Sequence, residues 1–534
     1  MQTVCFKDAI KTSHRTGGKS IIQEEPMIRE TRTENGLVKG IVGTNARVTV
    51  FKGIPYAAPP VGENRWRAPQ PAENWEGVRE CYEFGPIAMQ NTPGADPDAF
   101  YSKEWHVDPD IAMDEDCLQL NIWTPAKSTE DKLPVMMWIH GGGMQEGYGH
   151  EQEFDGEHFA KRGVILVSIT YRLNVFAFMA HKELTAAQPD APCNFGLLDM
   201  VAALKWIKRN IVSFGGDPEN VTIFGQSGGG AAVQYLCCSP MTVGLFQHAI
   251  IQSAGLNAMA IPSLGYFEIG TKDLAFGEEF GQTFLEYLGV NSIEEARKLD
   301  AKYINDKQVQ YRRETFKFMN PLVDGLFCTQ DPGDCMIKNE MNDVDVMVTA
   351  TGDEFFAGAR EPLEDWAKTL FGDLADDYLK VVRYVAGNDK REDIVREADF
   401  STFNASNRLT AEILALKGRK VYFSVFDPYI PGDDVGAFHS CDLWFEFETL
   451  MNCWRPFDGH HYDLARQMCN YFANFAKNGD PNGPDADGTP MPEWVPYNEE
   501  FHAMLLGDEV KMEKEEDPRI RFIIDANLRK YGLK

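Results

Sequence analysis

The stretch Val221-Thr222-Ile223-Phe224-Gly225-Gln226-Ser227-Gly228-Gly229 narrows what this chain can fold into more than any other. A β-prone apolar run leads without a spacer into Gly-Gln-Ser-Gly-Gly, and small residues able to open a helix follow. A serine on so tight a strand-to-helix turn is held at strained φ and ψ. The positions two before and two after it must be small for the backbones to pass. Gly225 and Gly229 meet that demand. In a chain with 46 glycines the same five residues also fit an ordinary Gly-Ser turn, so their meaning depends on whether the rest of an acyl-transfer site occurs in the right order.

The 534 residues are 43% hydrophobic and 12% aromatic, ample for a large core. Strand-and-helix folds of this length remain one catalytic unit when decorated with insertions. A single domain over 1–534 is expected, with helical insertions at about 266–370. The formal net charge of −29 repels phosphate backbones and anionic membrane surfaces, which argues against a nucleic-acid partner. No apolar run approaches the roughly 20 residues needed to span a bilayer, and Met1 to Glu30 contain no signal-peptide core. Cysteine number is odd at 11, and Cys237 and Cys238 adjoin each other, a poor basis for a disulfide framework. A reducing, cytoplasmic setting is the expectation.

Apolar runs alternate with helical spacing along the chain, the pattern of a largely parallel α/β sheet covered on both faces. Pro134 to Ile139 reads as a buried strand ending in His140-Gly141-Gly142-Gly143, and Gly163 to Ile169 as another. Leu197, Met200, Val201, Leu204, Ile207 and Ile211 recur at steps of three and four, which predicts a helix ahead of the elbow strand, closed by a turn at Gly215-Gly216-Asp217-Pro218. Further strands are read at His248–Gln252, Val344–Thr349 and Lys420–Phe426.

Ligands of open α/β sheets gather beyond the carboxyl ends of the strands, so catalytic groups are sought directly after these runs. Backbone N–H groups of Gly142 and Gly143, free of side-chain bulk, can approach an oxyanion, joined by the N–H of Gly228 at the start of the elbow helix. A serine needs a base, and the base an acid behind it. The expected chain order is Ser, acid, His. His248 comes too soon after Ser227 to leave room for an acid-bearing strand. His460, His461 and His502 fit less well than His439, which follows the strand ending at Phe426. Asp353 and Glu354 both stand after the strand near Thr351, and the residues alone leave the two about even. Met144, Gln145, Tyr148, Phe355, Phe356 and Phe438 are candidates to line an apolar acyl or aryl pocket.

The chain resembles the type-B carboxylesterases, the cholinesterase-like branch of the α/β-hydrolases. The likeness runs through Phe51 to Ala57, Arg65-Trp66-Arg67, Glu115 to Leu118, His140 to Gly143, Asn194 to Asp199, Phe214 to Pro218 and the elbow. It continues in Gln252 to Gly255, Asp353-Glu354, Phe438-His439 and Gly479 to Asn482. This resemblance implies Ser227 as nucleophile, His439 as base and Glu354 as acid. It also implies that Ser253 hydrogen-bonds the acid and that Arg65 pairs with Glu115. Gln226 stands where the branch commonly has a glutamate and Gly228 where it has an alanine; neither change removes a catalytic group. Phe355 stands where a glycine usually follows the acid. Cys81 and Cys117 match a disulfide of secreted relatives and are expected to stay reduced here.

The function expected from the whole is serine carboxylesterase activity on a small-molecule ester, without metal or organic cofactor. A non-catalytic cholinesterase-like adhesion module and an interfacial lipase are the alternatives. Oligomeric state and substrate identity are not encoded in any motif.

Overall fold

The apolar runs fall side by side in one sheet. The computed structural model describes residues 27–105, 108–255, 271–355, 358–399, 402–485, 488–498, 500, 503–514 and 516–534. Its 11-stranded sheet runs in the order Val510–Glu513, Ala503–Leu506, Val421–Phe426, Asp345–Thr351, His248–Gln252, Gly216–Gln226, Leu133–Ile139, Ile165–Ile169, Gln119–Thr124, Thr49–Pro55, Ile41–Val42. Every pairing from Ala503–Leu506 across to Ile165–Ile169 is parallel. The strands outside that block are antiparallel to their neighbours.

The central strands are apolar along their length because helices cover both faces. Successive side chains point to opposite faces of a strand, and the cores divide accordingly. Val135, Met137 and Ile139 join one cluster with Val221 and Ile223, while Met136 and Trp138 join another with Phe224 and Ile250. The elbow strand is thus anchored in both cores before it reaches the serine.

The helix ahead of it spans Phe195–Asn210 and buries Leu197, Met200, Val201, Leu204 and Ile207. A 3-10 turn, Ile211–Phe214, follows and closes on Gly215 at φ 82°. The expected turn over 215–218 is shorter than that. Gly216 already pairs with Leu133, whose N–H donates to Gly215 O at 2.9 Å, so the strand starts one residue after the cap. Helices Leu274–Leu288, Ile293–Arg297, Ala301–Thr315, Pro332–Ile337 and Leu363–Phe371 occupy the region read as helical insertion. The helical material continues past 370, through Ala375–Ala386 and Arg391–Ala398 to Thr402–Leu416. Among the described residues no helix is long and apolar enough to cross a membrane.

Arg65 and Glu115 make a buried two-pronged ion pair, Nε to Oε1 and Nη2 to Oε2, both at 2.6 Å. Cys81 and Cys117 are buried free thiols.

Candidate active site

Ser227 alone separates the strand Gly216–Gln226 from the helix Gly228–Cys238. It sits at φ 56°, ψ −121°, a strained conformation that persists only where the surroundings over-determine it. Two neighbours do so. The Ser227 N–H donates to Gln252 O of the adjoining strand at 2.9 Å. On the other side, a Cβ at Gly225 would lie 2.6 Å from Ile139 O, and one at Gly229 would run into the same carbonyl. The two glycines therefore let strand and helix converge on the end of Leu133–Ile139, as the five-residue pattern predicts.

The serine stands half-exposed on the wall of a cavity of about 630 Å³. That wall also takes Gly141 and Gly142, Gln226, Phe355 and His439, all from segments that follow the carboxyl ends of sheet strands. Chain order and topology thus bring the groups together where an open α/β sheet binds ligands.

His439 returns to the cavity on the loop after Val421–Phe426. Asp353 holds that loop: its Oδ2 accepts the Ala437 N–H at 2.8 Å, and its own N–H donates to Ala437 O at 3.0 Å. Glu354 instead meets the imidazole, Oε2 to Nδ1, at 2.5 Å, and its Oε1 accepts the Thr351 N–H at 3.1 Å. The two carboxylates that the residues left even therefore have different partners. An ionised Glu354 can only accept, so Nδ1 carries the proton and Nε2 the lone pair; this tautomer is assigned from the partners. Nε2 faces the side-chain amide nitrogen of Gln226 at 3.3 Å, itself a donor. The Tyr101 hydroxyl donates to the His439 carbonyl at 3.2 Å, and the Phe355 ring lies 4.4 Å from the imidazole.

Gly142 and Gly143 adopt left-handed φ of 90° and 62°, and the Gly142 carbonyl accepts the Gln145 and Glu146 N–H groups at 3.0 and 3.1 Å. This turn folds the glycine loop onto the elbow. A Cβ at Gly228 would lie 2.7 Å from the Gly143 nitrogen, so the Gly143 amide abuts the first residue of the elbow helix, where unpaired N–H groups and the helix dipole favour negative charge.

Several expectations need correction. Ser253 Oγ is buried with no hydrogen-bond partner among the described residues, so the implied bond to Glu354 is not made. Both Glu354 oxygens are already engaged, while the Ser253 N–H donates to Thr349 O at 2.8 Å. Met144, Gln145 and Phe438 are buried and are not among the residues that line the cavity. The Gln145 amide donates to Met319 O at 2.9 Å, and Phe438 packs edge-on to Phe100 beneath Arg455. Phe355 and Tyr148 are on the wall. Phe356 and His502 fall outside the described residues.

Other histidines have separate duties. Burial pushes His140 down to about 3, and its ring stacks on Tyr171 at 4.4 Å; it is a neutral packing residue. His248 pairs with Asp345 at 3.0 Å at the opposite end of its strand. Asp458, His460 and His461 bring possible metal-ligating atoms within 4.8 Å of one another at the start of the helix Gly459–Asn478, and none of the three lines the cavity.

Sequence reasoning missed a second layer of acid. Asp442 and Glu446 are buried just past His439, and Glu446 accepts the Gln252 side-chain amide. Burial, then the charge of Glu354, pushes Asp442 up to about 7. Their only sequence signal is their place three and seven residues after the histidine. Also missed were Phe100, Tyr101, Trp105, Glu151 and Glu153 on the cavity wall.

A mostly parallel sheet with this elbow, and with an acid and a histidine after it in that order, defines an α/β-hydrolase. The sequence profile of the carboxylesterase family matches residues 28–522, and the chain belongs to that family. It is 31% identical to a fumonisin B1 esterase of Sphingopyxis macrogoltabida, over 90% of this chain and 86% of that protein. It is 30% identical to a para-nitrobenzyl esterase of Bacillus subtilis strain 168, over 92% and 97%. Among solved structures, a PNB esterase covers 93% of this chain and 99% of its own at 28% identity with a TM-score of 0.75. A Geobacillus stearothermophilus carboxylesterase gives 29% identity and 0.70 at the same coverage. The chain is a carboxylic ester hydrolase of the serine esterase type.

Proposed function

We propose that this esterase works by double displacement at Ser227 within one catalytic unit. The observation that carries the reading is the 2.5 Å contact between His439 and Glu354 on the same cavity as a serine held at an elbow's strained φ and ψ. Ser227 Oγ attacks the ester carbonyl while His439 Nε2 takes its proton, and Glu354 stabilises the imidazolium. Attack requires Nε2 to exchange its Gln226 partner for the serine hydroxyl. Negative charge on the former carbonyl oxygen is received by the N–H groups of Gly142, Gly143 and Gly228. The imidazolium then protonates the departing alcohol as the C–O bond breaks, leaving an acyl-serine. Water repeats the sequence, giving its proton to His439 and releasing the acid and free Ser227.

The substrates in this reading are small esters with an apolar acyl or aryl part, because Phe100, Trp105, Tyr148, Phe154 and Phe355 contribute to the wall. A reducing, cytoplasmic location belongs to the same proposal and is supported by the free thiols of Cys81 and Cys117. The test is treatment with an organophosphonate followed by intact and peptide mass. One adduct on the peptide carrying Ser227 is expected, and none in Ser227→Ala. An unlabelled wild-type protein that still hydrolyses an aryl ester would overturn the assignment.

A further inference from the structure

Away from the cavity, the start of the helix Gly459–Asn478 gathers three groups able to bind a metal. Asp458, His460 and His461 hold their ligating atoms within 4.8 Å of one another. Asp458 Oδ1 is 2.5 Å from His460 Nδ1 and 3.1 Å from His461 Nδ1. The far nitrogen of each ring meets an acceptor from outside the cluster. His461 Nε2 lies 2.9 Å from Tyr429 O, a carbonyl that only accepts, so the ring proton belongs on Nε2 and the lone pair on Nδ1. The Asp458 N–H donates to that Nδ1 at 3.1 Å and fixes the buried ring. His460 Nε2 faces Asp508 Oδ1 at 3.5 Å. With its proton turned to Asp508, His460 also directs a lone pair at Asp458.

Protonating His460 would serve both of its carboxylates but leave His461 Nδ1 and Asp458 Oδ1 facing each other, acceptor against acceptor. A cation seated among the three atoms satisfies all of them. Ligands about 2.1 Å from a zinc ion stand about 3.4 Å apart in a tetrahedron, a spacing that small rotations of the exposed Asp458 and His460 side chains reach. Coordination exchanges the His461 bond to the Asp458 N–H for a metal bond. The outer contacts are of the kind that orient metal-bound imidazoles, a carboxylate behind one ring and a backbone carbonyl behind the other. The helix dipole opposes a cation at this end, and the two carboxylates of Asp458 and Asp508 outweigh it. Paired imidazoles select a transition ion over magnesium or calcium, which favour all-oxygen sets. The outer contacts also reach the chain that carries His439. Asp508 Oδ1 accepts the Tyr429 N–H at 3.1 Å, so both main-chain groups of Tyr429 are held from this cluster, and Tyr429 lies between the strand Val421–Phe426 and His439.

We propose that Asp458, His460 and His461 bind a divalent transition-metal ion of the zinc class, with Asp508 and the Tyr429 carbonyl orienting the two rings. A fourth position is left to water. The ion braces the segment that follows Val421–Phe426 and takes no part in the ester reaction, so its test is a binding measurement independent of the role of Ser227.

In the experiment, the full chain is stripped with EDTA, dialysed and titrated with zinc chloride by isothermal calorimetry. One saturable site per chain is expected, with no comparable binding of magnesium or calcium chloride. His460→Ala and Asp458→Asn, both at exposed side chains, should each weaken zinc at least about tenfold, and Asp508→Asn about tenfold. Asparagine still caps the helix at 458, so a purely structural role for Asp458 predicts no loss of zinc. Zinc at roughly a hundredfold its dissociation constant should raise the melting temperature of the wild type by about 2 °C and leave that of His460→Ala unchanged. As a measurement independent of any variant's folding, zinc should protect His460 of the wild type from diethyl pyrocarbonate, read by peptide mass. Absence of a saturable zinc site, equal binding of magnesium, equal labelling of His460 with and without zinc, or an unchanged zinc affinity in folded His460→Ala or Asp458→Asn would each overturn the proposal.

Discussion

Around Ser227 the cavity is shaped by main chain: glycines at 142, 143, 225, 228 and 229, a serine N–H bonded to Gln252 O, and N–H groups gathered at a helix start. Around Glu153 it is shaped by side chains: two carboxyls, an indole, a phenol and a phenyl ring drawn from loop and short-helix segments. Backbone geometry tolerates little change because an added methyl at Gly142, Gly225, Gly228 or Gly229 collides with other backbone. Side-chain walls can be recast one residue at a time. Under the proposed mechanism the first region holds the reacting groups, and the second is the part of the wall that can vary without disturbing them.

The strongest challenge to that division is Ser227→Ala. It should lower kcat/KM for a simple aryl ester on the order of 10^5-fold with an unchanged circular dichroism spectrum; near-normal turnover would mean the chemistry is not in the glycine-built region. Next comes the pair of adjacent carboxylates. Glu354→Gln should reduce kcat roughly 10^3-fold through loss of the imidazolium's partner, and Asp353→Asn about tenfold at most, since its amide can still accept the Ala437 N–H. A reversed order in steady-state kinetics would reassign the acid.

Gly228→Ala probes the crowding itself. Its Cβ would meet the Gly143 nitrogen at 2.7 Å and the Met144 nitrogen at 2.8 Å, both backbone atoms, so the donor loop must shift. A fall in kcat of about 10- to 100-fold with little change in KM is expected; an unaltered kcat would show that the loop yields freely.

The smallest effect concerns pH. Asp442 is pushed up to about 7 in the folded chain against an ordinary carboxylate value of about 4. A folded pKa above the unfolded one means that the unfolded chain loses its proton first. The stability tied to the protonated group is therefore full below about 4 and is lost as pH rises toward 7. Melting temperature should decline across that window, and Asp442→Asn should flatten part of the slope in a calorimetric series. An unchanged slope would remove Asp442 from the account.

The legible parts of the molecule are those with local periodicity or an obligatory small residue. The unbroken apolar run Val135 to Ile139, the three-and-four spacing from Leu197 to Ile207 and the elbow glycines each state their own structure. The short strands Ile41–Val42, Ala503–Leu506 and Val510–Glu513, at or next to the sheet edges, are too short for a pattern to emerge, and their pairing is decided by neighbours along the chain. Met144, Gln145 and Phe438 differ from expectation for a related reason, since proximity in sequence to a catalytic segment does not say which way a side chain turns; the Ser253 bond was implied by the family resemblance alone, and here both Glu354 oxygens have other partners. Glu151 and Glu153, eight and ten residues past Gly143, gain their meaning only when the chain brings both to the cavity wall and buries Glu153. Their alternation with Gln152 reads as solvated surface until burial is known.

The Arg65 guanidinium does more than neutralise Glu115. Its Nη1 also donates to the carbonyls of Ala296 and Leu299 at 3.1 and 2.8 Å, just ahead of the helix Ala301–Thr315. At about 1.5 Å per residue that helix is a rod about 22 Å long, fastened near one end at Arg65 and carrying Arg313 near the other, at the cavity. It is a lever. A tilt of about 5° at the fastening moves the far end about 2 Å over that length, enough to make or break a polar contact. The outline of the cavity is therefore set in part by a clamp that touches no substrate.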